Sequence, residues 1–159
     1  MAPRPTPPAP SLPNVQIGNR LWSTVYVNEE MAGVAAITSR TLHDEVIYMF
    51  RYSDLVNVTF SDGWRIPNMS DYNDLVNTVG ASNGNALIST LDGGSDTYGL
   101  NLYKTGLWGG SWQEVANTGR SYFADLDGAK QVNISGGDID YGNWGEGSAV
   151  PFRLVKDAT

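Results

Sequence analysis

Residues 63–80 read GWRIPNMSDYNDLVNTVG, and this stretch decides where the main helix of the fold begins. Pro67 fixes its own φ and favours an extended conformation at the preceding residue, so a helix can begin only after it. Asn68 or Ser70 can accept hydrogen bonds from first-turn amides, and Asp71 places negative charge near the positive end of the helix dipole. The sequence therefore predicts a helix that begins just after Pro67.

The predicted helix has one apolar face. Its apolar residues follow the i, i+3, i+4, i+7 spacing of an amphipathic helix, at Tyr72, Leu75, Val76 and Val79. Gly80 suits the left-handed residue that often ends a helix. One face of this helix must therefore pack against other elements, and the rest of the chain has to supply them.

Composition narrows the class of protein. The 159 residues carry a net charge of −7 and suffice for one domain with a single core. The acidic balance argues against a nucleic-acid partner, because phosphate binding needs clustered Lys and Arg. No apolar run approaches the roughly 18 residues of a membrane-spanning helix, so we expect no membrane insertion, and the N-terminus lacks the apolar core of a signal peptide.

Cysteine and histidine are scarce. The chain has no cysteine and one histidine, His43, so disulfides, thiolate metal sites and multi-histidine zinc sites lack their ligands. His43 stands in a polar run without a surrounding motif, and we interpret it as a surface or structural residue. We expect no cofactor.

The first 13 residues form a proline-rich arm. Residues 1–13 read MAPRPTPPAPSLP and contain six of the eight prolines. Such a segment favours extended polyproline II, in which it would reach roughly 40 Å at about 3.1 Å per residue. It is either a linker or a tether that docks on a larger partner. The anchoring residues of a tether would be Pro3, Arg4, Pro5, Pro7, Pro8 and Pro10.

The remaining residues, 14–159, indicate one α+β domain with two short helices and a loop-rich antiparallel sheet. The second helix is weaker than the first and covers residues 82–91, and a possible short helix lies within 28–40. A hairpin is expected over residues 14–27, around Gly18 and Asn19. Further strands are predicted at residues 46–50, 56–60, 121–126, 130–134 and 150–155.

Four motifs occur in order along the chain: VQIGNRLW at 15–22, GWRIP at 63–67 leading into a helix, YF at 122–123 and PFRLVKD at 151–157. Together they resemble the landmarks of the Fibrobacter succinogenes major paralogous domain. The resemblance covers essentially everything but the arm. It implies a C-type-lectin-like fold, related in architecture to phage tropism determinants and formylglycine-generating enzymes.

The chain departs from that family at two cysteine positions, which are here Phe60 and Leu154. If the family cysteines pair, the resemblance implies that these two side chains touch, with an apolar contact in place of a disulfide. This replacement suits a protein that folds in a reducing cytoplasm.

Aromatic residues in glycine-rich segments are the candidate ligand-binding residues. They are Tyr103, Trp108, Trp112, Tyr141, Asn143 and Trp144. Rigid aromatic rings beside Asn, Asp and Ser suit sugar or protein surfaces. The alternative is that these tryptophans pack the interior of long loops.

Acidic segments could hold calcium but lack the expected pattern. Residues 92–96, 125–128 and 138–140 each supply oxygen atoms, yet none has the spacing of an EF-hand. We interpret these aspartates as turn-forming residues rather than metal ligands. A glycosidase carboxylate pair is not singled out by spacing, and the enzyme motifs we considered are missing, so we expect a protein that is not an enzyme.

Together these observations lead us to expect a virion surface protein of a bacteriophage. It would be a head fibre or decoration protein, or an adhesin, made in the host cytoplasm and held to capsid or fibre proteins by its arm. The lectin-like domain would attach to a host glycan or protein, and the chain would form a homo-oligomer, with a trimer favoured. The alternative is a cell-surface or secreted glycan- or protein-binding module of a bacterium.

Overall fold

The computed structural model describes residues 12–105, 107–108, 112–113, 121–124, 130–135, 137–143 and 149–158. These residues form a mixed α+β fold with few helices. The three α-helices are α1 (Glu29–Ala32), α2 (Tyr52–Leu55) and α3 (Met69–Val79), and 3₁₀ turns cover Ser61–Gly63, Gly84–Ala86 and Thr90–Asp92. The strands are β1 (Asn14–Ile17), β2 (Arg20–Ser23), β3 (Thr38–Leu42), β4 (Glu45–Arg51), β5 (Leu107–Trp108), β6 (Trp112–Gln113), β7 (Ser121–Ala124), β8 (Lys130–Ser135), β9 (Asp138–Asn143), β10 (Ala149–Val150) and β11 (Val155–Asp157).

Within the described ranges, the strands form three small sheets with the orders β1-β2-β11, β3-β4-β10-β5-β6 and β7-β8-β9. Pairing between these strands is antiparallel. The last strand, β11, lies beside β2 from the start of the domain. Arg65 extends this sheet, because its backbone exchanges hydrogen bonds of 3.0 and 2.8 Å with Val155. The segment before α3 is therefore fixed against the C-terminal strand.

The central helix is confirmed with its predicted start. Asn68 is the N-cap, and its side chain and that of Asp71 form a reciprocal capping box. Leu75 and Val79 of the predicted face are buried. The helix ends at Gly80, which has the predicted positive φ of 98° but a ψ of 131°, outside the left-handed helical region.

The first hairpin is also confirmed. β1 and β2 pair from Asn14 opposite Ser23 to Ile17 opposite Arg20. Gly18 in the turn has a φ of 62° and no room for a side chain, because a Cβ there would meet the side chains of Asp74 and Thr78 on α3. The predicted short helix within residues 28–40 is α1, which Gly33 ends in a left-handed conformation.

The predicted helix at residues 82–91 is wrong. Two 3₁₀ turns take its place, because part of its backbone bonds to distant residues. The Ser89 amide donates to Leu102 O at 2.8 Å, and the Leu102 amide donates to Leu87 O at 3.0 Å. These longer-range bonds satisfy the donors and acceptors that a helix would use.

Two strand predictions also need correction, and one strand was missed. Residues 56–60 form no strand, since α2 directly follows β4 and Val58 N–H turns back to Leu55 O at 3.0 Å. The predicted strand at 150–155 divides into β10 and β11, separated by a segment that begins at Pro151, which has no amide hydrogen for a ladder. Strand β3 was not predicted, because its sequence TSRTL has little apolar content.

Two buried clusters make up the core of the described part of the chain. The first contains residues of α3, β1, β2, β4 and the segment 86–103. The second surrounds Trp64 and Phe152 and contains both Phe60 and Leu154. The two positions at which the resemblance implies contact thus belong to one cluster, with exposed fractions of 9% and 1%.

Candidate functional site

Two of the predicted ligand-binding residues lie opposite each other. Trp108 on β5 and Trp112 on β6 are register partners, and Trp108 is also opposite Ala149 of β10. Trp108 is half-buried and packs against the first cluster, and the side chain of Trp112 lies outside the description. Among the described strands, β6 is the last of its sheet, so this pair lies at one edge of that sheet.

Two other predicted ligand-binding residues lie in a different sheet. Tyr141 and Asn143 belong to β9, where they are opposite Val132 and Lys130 of β8. Strand β7 of this sheet lies beside β10, the strand that also pairs with β5. The structure thus places the two sheets as neighbours. The side chains of Tyr141 and Asn143, and the whole of Trp144, lie outside the described residues.

Tyr103 is a core residue. It is 6% exposed, its amide donates to the Tyr26 hydroxyl at 2.9 Å, and its ring lies 6.1 Å from that of Tyr26. Burial raises the pKa of the Tyr103 hydroxyl, and the nearby carboxylate of Glu45 acts in the same direction. Tyr103 was predicted as a ligand-binding residue, but this packing leaves almost none of its surface open to a ligand.

His43 belongs to the same region. Its Nε2 lies 3.0 Å from Asp92 Oδ1, and its ring packs edge-on against Tyr103 with centroids 5.0 Å apart. Asp92 Oδ2 accepts the Lys104 amide at 2.8 Å. His43 is thus a partly buried residue that holds a loop in place, in keeping with a structural interpretation.

Arg153 is a fully buried cation. Its Nη1 donates to Ser23 O at 3.0 Å and Leu100 O at 2.6 Å, and its Nη2 donates to Asn101 O at 2.9 Å. Its guanidinium carbon lies 3.9 Å from the centroid of the Tyr26 ring. Burial lowers the pKa of Arg153. The side chain joins three distant segments, and sequence reasoning missed it although an arginine inside the apolar run PFRLV was the available signal.

Asp71 connects α3 to two arginines. Its side chain is fully buried and accepts hydrogen bonds from Arg20 Nε at 2.6 Å and from both terminal nitrogens of Arg65. Burial alone would raise the pKa of Asp71, but hydrogen bonds from Arg65, the Asn68 amide and Arg20 outweigh it and lower the pKa. The same bond to Asp71 raises the pKa of Arg65. Exposed Asp157 completes the network, 3.5 Å from Arg20 and 3.2 Å from Arg65.

The aspartates of residues 92–96 bind the protein's own backbone. Asp96 Oδ1 accepts the Asn101 amide at 2.8 Å, as Asp92 accepts that of Lys104. Within the described ranges, no three Asp, Glu or His side chains lie close enough together to hold a metal ion. Residues 125–128 and the side chain of Asp140 lie outside those ranges.

The base of the arm is fastened to the domain. Leu12 is half-buried and packs against the second cluster, and Pro13 O accepts the Thr24 amide at 2.9 Å. The predicted anchoring residues Pro3, Arg4, Pro5, Pro7, Pro8 and Pro10 lie outside the described residues. The chain therefore leaves the domain beside the sheet β1-β2-β11.

Comparison of the chain with protein-family models, with curated proteins and with solved structures finds no match. The resemblance to the Fibrobacter succinogenes major paralogous domain accordingly stays a prediction from four motifs. In the described part of the chain, no helix has the length and apolar character needed to cross a membrane.

Proposed function

We propose that this chain is a non-enzymatic binding module on the surface of a bacteriophage particle, as a head fibre, decoration protein or adhesin. Its arm, residues 1–13, attaches it to capsid or fibre proteins. Its domain, with a C-type-lectin-like arrangement, presents aromatic residues to a glycan or protein of the host. The assembled form is a homo-oligomer, with a trimer favoured.

The observation that carries this proposal is that the base of the arm and Trp108 pack against different clusters. Leu12 and Pro13 are fixed next to the sheet β1-β2-β11, whereas Trp108 and Trp112 lie at the edge of the five-stranded sheet. A display module needs this arrangement, because one region must hold the particle while another remains open to the ligand.

Several ionisable side chains have structural partners. Arg153 donates to three backbone carbonyls, Asp71 is paired with two arginines, and His43 is paired with Asp92. These groups hold segments of the fold together.

Attachment is tested by removing residues 2–11 and measuring whether the chain remains on particles purified from cells in which the phage replicates. Leu12 and Pro13 are kept because they pack and bond with the domain. The expected result is a folded chain, checked by circular dichroism, that no longer sediments with particles. If the shortened chain stayed on the particles as well as the full chain does, the proposal would be contradicted.

Ligand binding is tested by comparing Trp108→Ala with Leu91→Ala in a host-cell binding assay. Leu91 is an apolar residue with 61% exposure that is not among the predicted binding residues. A stacking tryptophan contributes about 1–3 kcal/mol to an aromatic binding surface, so Trp108→Ala should weaken binding at least about five-fold while Leu91→Ala does not. Equal binding by both variants would show that Trp108 is not part of the binding site.

A further inference from the structure

Asparagine or aspartate followed by glycine is a chemically reactive pair of residues. Because glycine has no side chain to block the approach, its backbone nitrogen can attack the side-chain carbonyl carbon of the residue before it. The described part of the chain has three such pairs, which are Asp62 with Gly63, Asn83 with Gly84, and Asp92 with Gly93. A fourth pair, at 127–128, lies outside the described residues. The surroundings of the three described pairs differ, and they decide which pair can react.

The pair at 83–84 is held in place. The Asn83 side chain donates from Nδ2 to Val79 O at 3.2 Å, and the Gly84 amide donates to Gly137 O at 2.5 Å. Gly84 is buried, and an added Cβ there would meet the Ile134 side chain at 2.5 Å. The nitrogen that would react is therefore both bonded and enclosed, and the fold protects Asn83.

The carboxylate of Asp92 is also fixed. Its Oδ1 lies 3.0 Å from His43 Nε2, and its Oδ2 accepts the Lys104 amide at 2.8 Å. The side chain is 13% exposed. To turn toward the Gly93 nitrogen, it must give up both contacts in a partly buried place, where a lost hydrogen bond is costly. The fold therefore slows the reaction at Asp92.

Asp62 differs from Asp92 because its side chain is open to solvent. It is 67% exposed, and Lys156 Nζ lies 3.5 Å from its Oδ2; an exposed ion pair of this kind restrains a side chain little. Asp62 has a φ of 62°, a left-handed conformation that residues with side chains rarely adopt. Gly63 is exposed, and an added Cβ there would meet nothing within 4 Å. This turn therefore leaves room for the carboxyl group to approach the next nitrogen.

We propose that Asp62 is a site of spontaneous modification, at which the fold directs the conversion of aspartate to isoaspartate in preference to Asp92. In the first step the Gly63 nitrogen forms a bond to Asp62 Cγ and closes a five-membered succinimide ring. The hydroxyl of the protonated carboxyl group leaves as water with the amide proton. Water then opens the ring at the α-carbonyl, so the chain continues through the Asp62 side chain. One water is lost and one is taken up, and no oxidant or other reactant is needed.

The new linkage changes the turn before Trp64. It lengthens the backbone by one carbon and leaves a free α-carboxylate where the Asp62 carbonyl oxygen accepts Lys156 Nζ at 3.3 Å. Arg65 follows closely and binds Asp71, so the change falls beside a network that holds the fold together. The inference goes beyond the proposed function, because the reaction needs no partner and its test is independent of particle attachment.

The test incubates the purified full chain at neutral pH for several weeks. Isoaspartate is then located in peptides by electron-transfer fragmentation, because the conversion leaves the mass unchanged. It should accumulate at position 62 at least about five-fold faster than at position 92, since the hydrogen bond that Asp92 must break is enough to slow a reaction about five-fold. Equal rates at the two positions, or a faster reaction at position 92, would overturn the proposal.

Two further samples show whether the fold causes the difference. In guanidinium chloride the unfolded chain has neither contact of Asp92, so positions 62 and 92 should convert at similar rates. A preference for position 62 that persists there would overturn the assignment to the fold. His43→Ala removes one contact of Asp92, and conversion at position 92 should rise about two- to five-fold while that at position 62 stays the same. An unchanged rate at position 92 would contradict the restraint assigned to His43.

Discussion

Arg20 Nε donates a 2.6 Å hydrogen bond to Asp71 Oδ1 and thereby joins the first hairpin to the start of α3. Arg65, whose backbone pairs with Val155 of β11, binds the same carboxylate. Asp71 also caps its own helix. One buried carboxylate thus fixes a helix, a hairpin and the segment before the helix.

Replacement of Asp71 by Asn should therefore destabilise the domain. The change leaves two arginines without a buried counter-charge, and loss of one partner of a buried ion pair typically costs about 3–5 kcal/mol. We expect the free energy of unfolding in urea to fall by about 3 kcal/mol. Asp157→Asn is the matched control, because its side chain contacts the same arginines but is 67% exposed; it should cost less than about 1 kcal/mol. Equal effects of the two changes would contradict the role of Asp71.

The same residue should make stability depend on pH. The folded-state pKa of Asp71 is lowered, so its contribution is fully present above the unfolded pKa of about 3.9 and is lost as pH falls through the folded pKa. The difference in unfolding free energy between the native chain and Asp71→Asn should be constant from about pH 7 to pH 5 and should narrow below about pH 4. Urea denaturation across this pH range measures the difference in unfolding free energy. A difference that grows as the pH falls would contradict the lowered pKa of Asp71.

Arg153→Lys should lower the free energy of unfolding although the positive charge is retained. A lysine has one ammonium group in place of the planar fork that reaches Ser23 O, Leu100 O and Asn101 O. At least one buried carbonyl would lose its donor, and we expect a loss of about 2–3 kcal/mol in unfolding free energy.

The control for this change is Lys156→Gln, which alters a cation three residues further along the chain. Lys156 packs on Trp64 and approaches Asp62, and its loss should cost about 1 kcal/mol or less. If Arg153→Lys had the same thermal midpoint as the native protein, the hydrogen bonds from Arg153 to the three carbonyls would contribute little to stability.

Replacement of the neighbouring glycines 93 and 94 by alanine should reduce stability to different extents. A Cβ at Gly94 would overlap the backbone oxygen of Ile88, whereas one at Gly93 meets nothing within 4 Å. Gly93 has a left-handed φ of 85°, which costs an alanine about 1 kcal/mol. Gly94→Ala forces the backbone apart, and it should cost at least about 2 kcal/mol more than Gly93→Ala in thermal or urea denaturation. A larger loss of stability from Gly93→Ala than from Gly94→Ala would contradict the packing of this turn.

Local chemistry explains which parts of the fold could be predicted from sequence. The start of α3 was predictable because Pro67, Asn68 and Asp71 act within one turn of chain, and the first hairpin because Gly18 allows its turn. The failure at residues 82–91 has a long-range cause, since Ser89 and Leu87 bond with Leu102. Periodicity in one segment contains no information about a partner so far along the chain.

The candidate site shows the same limit. Aromatic residues next to glycine were predicted as ligand-binding from composition, but composition does not distinguish an exposed ring from a buried one. Tyr103 is buried because Tyr26 and His43, distant in sequence, pack against it. The register of Trp108 with Trp112 places these two residues opposite each other, and their role in binding stays a prediction.

The central claim is that the arm attaches the domain to a particle while the aromatic edge remains free. The most direct test is electron cryomicroscopy of native particles, with residues 1–11 and Trp108 located in the map. The account predicts the arm clamped between capsid or fibre subunits, with Trp108 on the outward side. A chain that is missing from the particles, or one held through the Trp108 edge with its arm unattached, would contradict it.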